Sequence, residues 1–122
     1  MKIAVTSLGE SLESPVDQRF GRARVFVLYD TDSGDWSSHS NKRNFEAAQG
    51  AGIQAGQYVA ELGAGAVITG HCGPEAFRTL SAAGIDVYQG ATGSVGDTVA
   101  AFEAGALKKS VRADVDAGFG SV

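Results

Sequence analysis

From residue 66 onward the chain alternates short apolar runs with helical stripes, a pattern that demands parallel strands joined by helical crossovers. Ala66-Val67-Ile68-Thr69 reads as a buried strand. Gly73-Pro74-Glu75 opens a helix, with proline at the first helical position and an acid in the first turn. Ala76, Phe77, Leu80 and Ala83 form its apolar face, and Gly84 ends it. Ile85 to Tyr88 is the next strand. Ser94 with Asp97 resembles a capping box, and Val95, Val99 and Phe102 share one stripe of a last helix that stops at Gly105.

The first half is built differently. Ile3 to Ser7 is a short β-rich run, and Arg24 to Asp30 is apolar enough to be buried on both faces. The turn Asp32-Ser33-Gly34-Asp35 leads into Trp36 to Ser40, a polar strand that belongs at a sheet edge. Leu8 to Gly21 is a long loop, of the kind that often serves a function. Asn41 to Gly50 is polar and reads as a second loop. A helix follows, with Ala51, Ala55, Val59 and Leu62 on one face and Gly63 at its end. The order β-β-β-α-β-α-β-α predicts an α/β domain: a five-stranded mixed sheet with three main helices, spanning residues 1–107, and a flexible tail at 108–122. A chain of 122 residues suits one such domain.

Composition narrows the function. One cysteine and two histidines exclude a disulfide framework and an all-cysteine zinc or iron–sulfur cage. A net charge of −4 gives no electrostatic footprint for general nucleic-acid binding. No apolar run reaches the ~18 residues of a membrane span, and the first residues lack the apolar stretch of a signal peptide, so a cytoplasmic protein is expected.

Three segments bear chemistry. Gly50-Ala51-Gly52-Ile53-Gln54-Ala55 matches the glycine spacing of a dinucleotide fingerprint, but no buried strand precedes it and no acid ends the next strand. Either Gly50 and Gly52 keep a helix start slim for packing, or its amide groups face an anion. His71-Cys72-Gly73-Pro74 lies where a strand turns into a helix. There Cys72 is a thiol activated by the helix terminus and a possible single metal ligand, or a small buried filler beside a solvated His71. Arg19, Arg22 and Arg24 flank Phe20 and Gly21, while His39, Lys42 and Arg43 adjoin the second loop. These six residues form either a solvated surface or a shared anion-binding face.

Ser14-Pro15-Val16-Asp17-Gln18-Arg19-Phe20-Gly21-Arg22-Ala23 resembles the first signature of the dinitrogenase iron–molybdenum cofactor biosynthesis accessory family. Val67 to Phe77, around His71-Cys72-Gly73-Pro74, resembles its second. Gly50 to Gln54, Ala83 to Tyr88, Gly93-Ser94-Val95 and Ala104 to Leu107 complete the pattern over about residues 1–107. The resemblance implies a three-layer α/β/α ribonuclease-H-like fold. It also implies a non-enzymatic carrier of an anionic metal–sulfur cluster, either molybdenum–copper sulfide or an iron–molybdenum–sulfur precursor. Donor and recipient proteins, and a monomeric state, are expected with it. Nitrogenase-associated relatives often place histidine before the Phe-Gly pair, where this chain has Arg19; charge pairing with a sulfide anion then replaces an imidazole–metal bond. Arg19, Phe20, Arg22, His39, Lys42, Arg43, Gly50, Gly52, His71 and Gly73 are the expected cluster-binding residues. A nuclease of the same fold would need an acid on the first strand, and Ile3 to Ser7 has none. The alternative reading is a small-anion or protein-binding module with no metal.

Overall fold

The computed structural model describes residues 1–113. Five strands, β1 (Lys2–Ser7), β2 (Val25–Asp30), β3 (Trp36–Ser40), β4 (Ala66–Ile68) and β5 (Asp86–Tyr88), form one sheet in the order β3-β2-β1-β4-β5. β1 pairs antiparallel with β2 and parallel with β4, β2–β3 is antiparallel, and β4–β5 is parallel. The most apolar strands take the centre: every residue of β1 beyond Lys2 is buried, as is all of β4. The polar β3 takes an edge, where half its backbone groups face water.

Each face of the sheet carries its own core. Ala4, Phe26, Leu28, Val67 and Val87 face Ala55 and Val59 of α2 (Ala51–Glu61) and Ala76 and Leu80 of α3 (Pro74–Ala82). Ile3, Val5, Val27, Ala66 and Ile68 face Val95 and Val99 of α4 (Val95–Glu103). Alternation along β1 and β2 thus supplies both layers, and the molecule has the expected α/β/α arrangement. The capping box of α4 is formed: the Asp97 amide donates to Ser94 Oγ, and the Ser94 amide donates to Asp97 Oδ2, each at 3.1 Å.

Two glycines explain how close α2 lies to α3. A Cβ on Gly52 would stand 3.1 Å from Ala76 Cβ, and one on Gly56 would stand 2.9 Å from Thr79 Cγ2. Each glycine costs the helix about 1 kcal/mol against alanine, a cost offset by helix–helix contact that a larger residue would break. The slim helix start inferred from Gly52 is therefore real, and it brings the first turns of α2 and α3 side by side.

The structure departs from the sequence reading in three places. The supposed loop at Asn41–Gly50 contains a one-turn helix, α1 (Lys42–Phe45), too short to show a periodic stripe. Asn41 is fully buried, and its amide donates to the carbonyls of Gly21 and Ala23. Ala83, expected on the buried face of α3, is exposed because the helix ends at Ala82. The expected tail at 108–122 begins as a segment held against the outer edge of β5: the Ser110 amide donates to the Val87 carbonyl at 2.7 Å. Residues 114–122 lie outside the described residues.

Candidate anion-binding site

Because β1, β4 and β5 run parallel and β2 antiparallel, the ends of β1, β3, β4 and β5 and the start of β2 all lie at one end of the sheet. The β1–β2 loop, the α1 turn, the β4–α3 turn and the start of every long helix gather there. In open α/β sheets this is the end where ligands bind.

Backbone pairing stitches these loops together. The His71 amide donates to the Gln18 carbonyl at 2.7 Å and the Phe20 amide to the His71 carbonyl at 3.2 Å, a parallel bridge that sets Arg19 beside His71. Gly70 permits the approach. A Cβ there would lie 2.7 Å from both Gln18 Cα and the Gln18 carbonyl oxygen, so no side chain fits. Gly70→Ala is expected to cost about 1–3 kcal/mol, as over-packing does, and to spread amide chemical-shift changes through residues 17–21. Shifts confined to Gly70 and its two neighbours would show that the loop docks without this contact.

Asp17 organises the loop from within. It is 2% exposed, and its carboxylate accepts the Arg19 and Arg24 amides, each at 3.1 Å. Its own amide donates to the Thr6 carbonyl at 2.9 Å, and Thr6 Oγ1 donates to the Asp17 carbonyl at 2.6 Å. The Arg19 guanidinium Nε lies 3.7 Å from Asp17 Oδ1. Asp17, Gln18, Asn41 and Gly70 were not singled out from sequence. All but Asn41 fall within the two signature segments, which was the available signal.

The expected site residues divide into groups. Arg19 and His71 are exposed and adjacent. Gly50 (φ 73°) caps α2 and Gly73 caps α3, neither supplying a side-chain acceptor to its helix, and Gly52 lies in the first turn of α2. Lys42 is exposed at the start of α1. Arg22 is committed to a neighbour, its guanidinium donating to the Phe45 carbonyl. Arg43 instead lines a groove of about 460 Å³ along α2 with Gln54, Gln57 and Glu61. His39 sits within β3 rather than at its end, its Nε2 hydrogen-bonded to Ser37 Oγ at 2.8 Å.

Two residues face inward. Phe20 is fully buried, 5.5 Å ring to ring from Phe26, so it anchors the loop to the core instead of meeting a surface ligand. Cys72 is also 0% exposed and belongs to the same apolar cluster, its Sγ 3.6 Å from the Gly73 carbonyl. The thiol thus packs as a small core side chain in this structure. Among the described residues, no group of three or more His, Cys, Asp or Glu side chains is placed to hold a metal ion. What this end offers an anion is cationic side chains and two helix starts without side-chain caps. Glu75, in the first turn of α3, adds one opposing charge. Far from it, at the other end of the sheet, the Met1 ammonium donates to Asp32 Oδ2 at 2.7 Å, and this hydrogen bond raises its pKa.

The sequence profile described as dinitrogenase iron-molybdenum cofactor matches residues 1–105. The apo form of the orange protein from Desulfovibrio gigas is 38% identical and superposes with a TM-score of 0.92, covering 93% of this chain and 96% of that one. A putative NifB protein from Thermotoga is 36% identical with a TM-score of 0.78, covering 88% of this chain and 91% of its own. An uncharacterized protein of Methanocaldococcus jannaschii is 28% identical over 92 residues, 74% of this chain and 78% of that protein.

Proposed function

Because the chain belongs to the dinitrogenase iron-molybdenum cofactor family, we propose that it is a non-enzymatic carrier which holds an anionic metal–sulfur cluster non-covalently at this end of the sheet. The cargo is a molybdenum–copper sulfide or an iron–molybdenum–sulfur precursor, received from a donor protein and passed to a recipient. The carrier acts as a monomer in the cytoplasm; no described helix is long and apolar enough to cross a membrane.

One observation carries this reading. The first turns of α2 and α3 touch at Gly52 and Ala76, both helices have glycine caps, and Arg19 and His71 stand at the same end. α4, on the opposite face, has its first turn satisfied already: the Ser94–Asp97 box takes the Asp97 amide, and the Val95 and Gly96 amides donate to the Ser14 and Leu12 carbonyls at 2.9 and 2.7 Å. Amide donors and cations suit a preassembled thiometallate, whose metals already have sulfide ligands. Hard cations seeking oxygen ligands would need a cluster of carboxylates, and the described residues gather none here. The burial of Cys72 supports a hold that does not depend on a thiolate.

Anaerobic titration of tetrathiomolybdate plus copper into the cluster-free protein, followed by visible absorption, tests this directly. Saturable uptake is expected, and Cys72→Ala is expected to keep the wild-type affinity within about twofold, since no metal–thiolate bond is lost. Absence of saturable uptake by the wild-type chain overturns the carrier reading. Uptake lost only in Cys72→Ala assigns the hold to the thiolate instead.

A further inference from the structure

The β4–α3 turn is held on two sides. On one side stands the β1–β2 loop, through the Gln18–His71 pairing. On the other stands Gln89, just past β5, whose Oε1 accepts the Cys72 amide at 3.1 Å. The same side chain donates from Nε2 to the Arg112 carbonyl at 2.9 Å. Arg112 ends the segment that runs along the outer edge of β5. There Lys109 bridges Tyr88, the Ser110 amide donates to the Val87 carbonyl, and Lys109 Nζ lies 3.8 Å from Asp86 Oδ1. The Gln89 side-chain amide therefore joins this segment to the turn. Only an amide provides an acceptor and a donor in this arrangement; a carboxylate accepts alone, and an aliphatic chain does neither.

We propose that Gln89 is a positioning residue: through it, docking of Lys109–Arg112 on β5 sets the β4–α3 turn that presents His71 and the start of α3 to the cargo. When the segment detaches, Gln89 loses its anchor on the Arg112 carbonyl and gains rotamer freedom. The Cys72 amide then keeps a partner that is no longer fixed. The consequence for cargo rests on the carrier reading above. The coupling of segment to turn does not, and it can be measured on the cluster-free protein.

Cys72 is the reporter. Its thiol is fully buried, so it reacts with an aromatic disulfide reagent only when the turn opens. Ser110→Pro removes the amide that pairs with Val87 and is expected to raise the reaction rate about three- to tenfold, the factor for one hydrogen bond of ordinary net worth. In a Gln89→Leu background the same proline is expected to change the rate by less than about twofold, because the connection is already cut. Gln89→Glu, which keeps the acceptor for Cys72, is expected to stay below Gln89→Leu and to be equally insensitive to Ser110→Pro. Thermal melts of each variant confirm a folded chain. Two results overturn the coupling: no rise in Ser110→Pro, or an equal rise with and without Gln89. If the rates behave as expected while Ser110→Pro takes up tetrathiomolybdate and copper with wild-type affinity, the turn is coupled but does not position the cargo, and the proposal fails there. Failure of the wild-type chain to take up any thiometallate would sink the carrier reading and leave the thiol cycle to decide the coupling.

Discussion

Arg19→Ala combined with Lys42→Ala is expected to weaken uptake of tetrathiomolybdate and copper on the order of 10²–10⁴-fold. Charge-assisted hydrogen bonds are worth roughly 1.5–3 kcal/mol each, and two lost independently give that range. The lower end is the better expectation in moderate salt, because both side chains are solvent-exposed and screening is effective there. Stability should hardly change, since Asp17 keeps its two backbone donors when the Arg19 side chain is removed. Glu75→Gln supplies the opposite sign: deleting the one acid in the first turn of α3 should tighten uptake a few-fold. Anaerobic titration of each variant at two salt concentrations measures both changes in uptake and their screening, and thermal denaturation checks the stability. Wild-type affinity in the double variant would overturn a charge-based hold.

Asp17→Ala is expected to destabilise the chain by about 2–5 kcal/mol. The substitution removes the acceptor of two amides, those of Arg19 and Arg24, and an unsatisfied buried donor costs roughly 1–3 kcal/mol. For a domain of this size, that corresponds to a fall in melting temperature of roughly 10–20 °C. Asp17→Asn keeps the shape and one acceptor oxygen, so it should lose about half as much. Thermal denaturation followed by circular dichroism orders the three chains. A shift of under about 3 °C in Asp17→Ala would show that water replaces the carboxylate, and that the loop is not organised by it. Since the same loop sets Arg19 beside His71, Asp17→Ala should also lose thiometallate uptake, whereas Arg24→Ala should not.

The elements were legible where their pattern was long or their ends were marked. β3 falls on the residues expected, α3 begins at Pro74, and the Ser94–Asp97 box forms despite an aspartate where glutamate is preferred. The gathering of the site loops at one end followed from their positions at strand ends. What remained hidden was direction. Phe20 sits in a segment rich in glycine and charge, and nothing in one dimension says that it turns inward; burial of Cys72 was one of two open readings. Asp17 and Asn41 read as solvated loop residues because polar side chains usually are. Their burial follows from backbone partners that only the folded loop brings within reach. His39 and Arg43 already have neighbours of their own, Ser37 on the edge strand and the groove along α2.

The central strand of the sheet is the first one made. β1 finds its antiparallel neighbour at once in β2, whereas its parallel neighbour β4 begins only at Ala66. During synthesis the three-stranded meander can form early from local contacts, while the parallel half waits for distant chain to arrive. The Gln18–His71 pairing belongs to that later half. A ribosome-bound or truncated chain that stops short of β4 therefore carries all its loop arginines but lacks the β4–α3 turn against which the β1–β2 loop pairs. Under the carrier role proposed above, loading waits for the finished sheet, and a nascent chain offers no complete site.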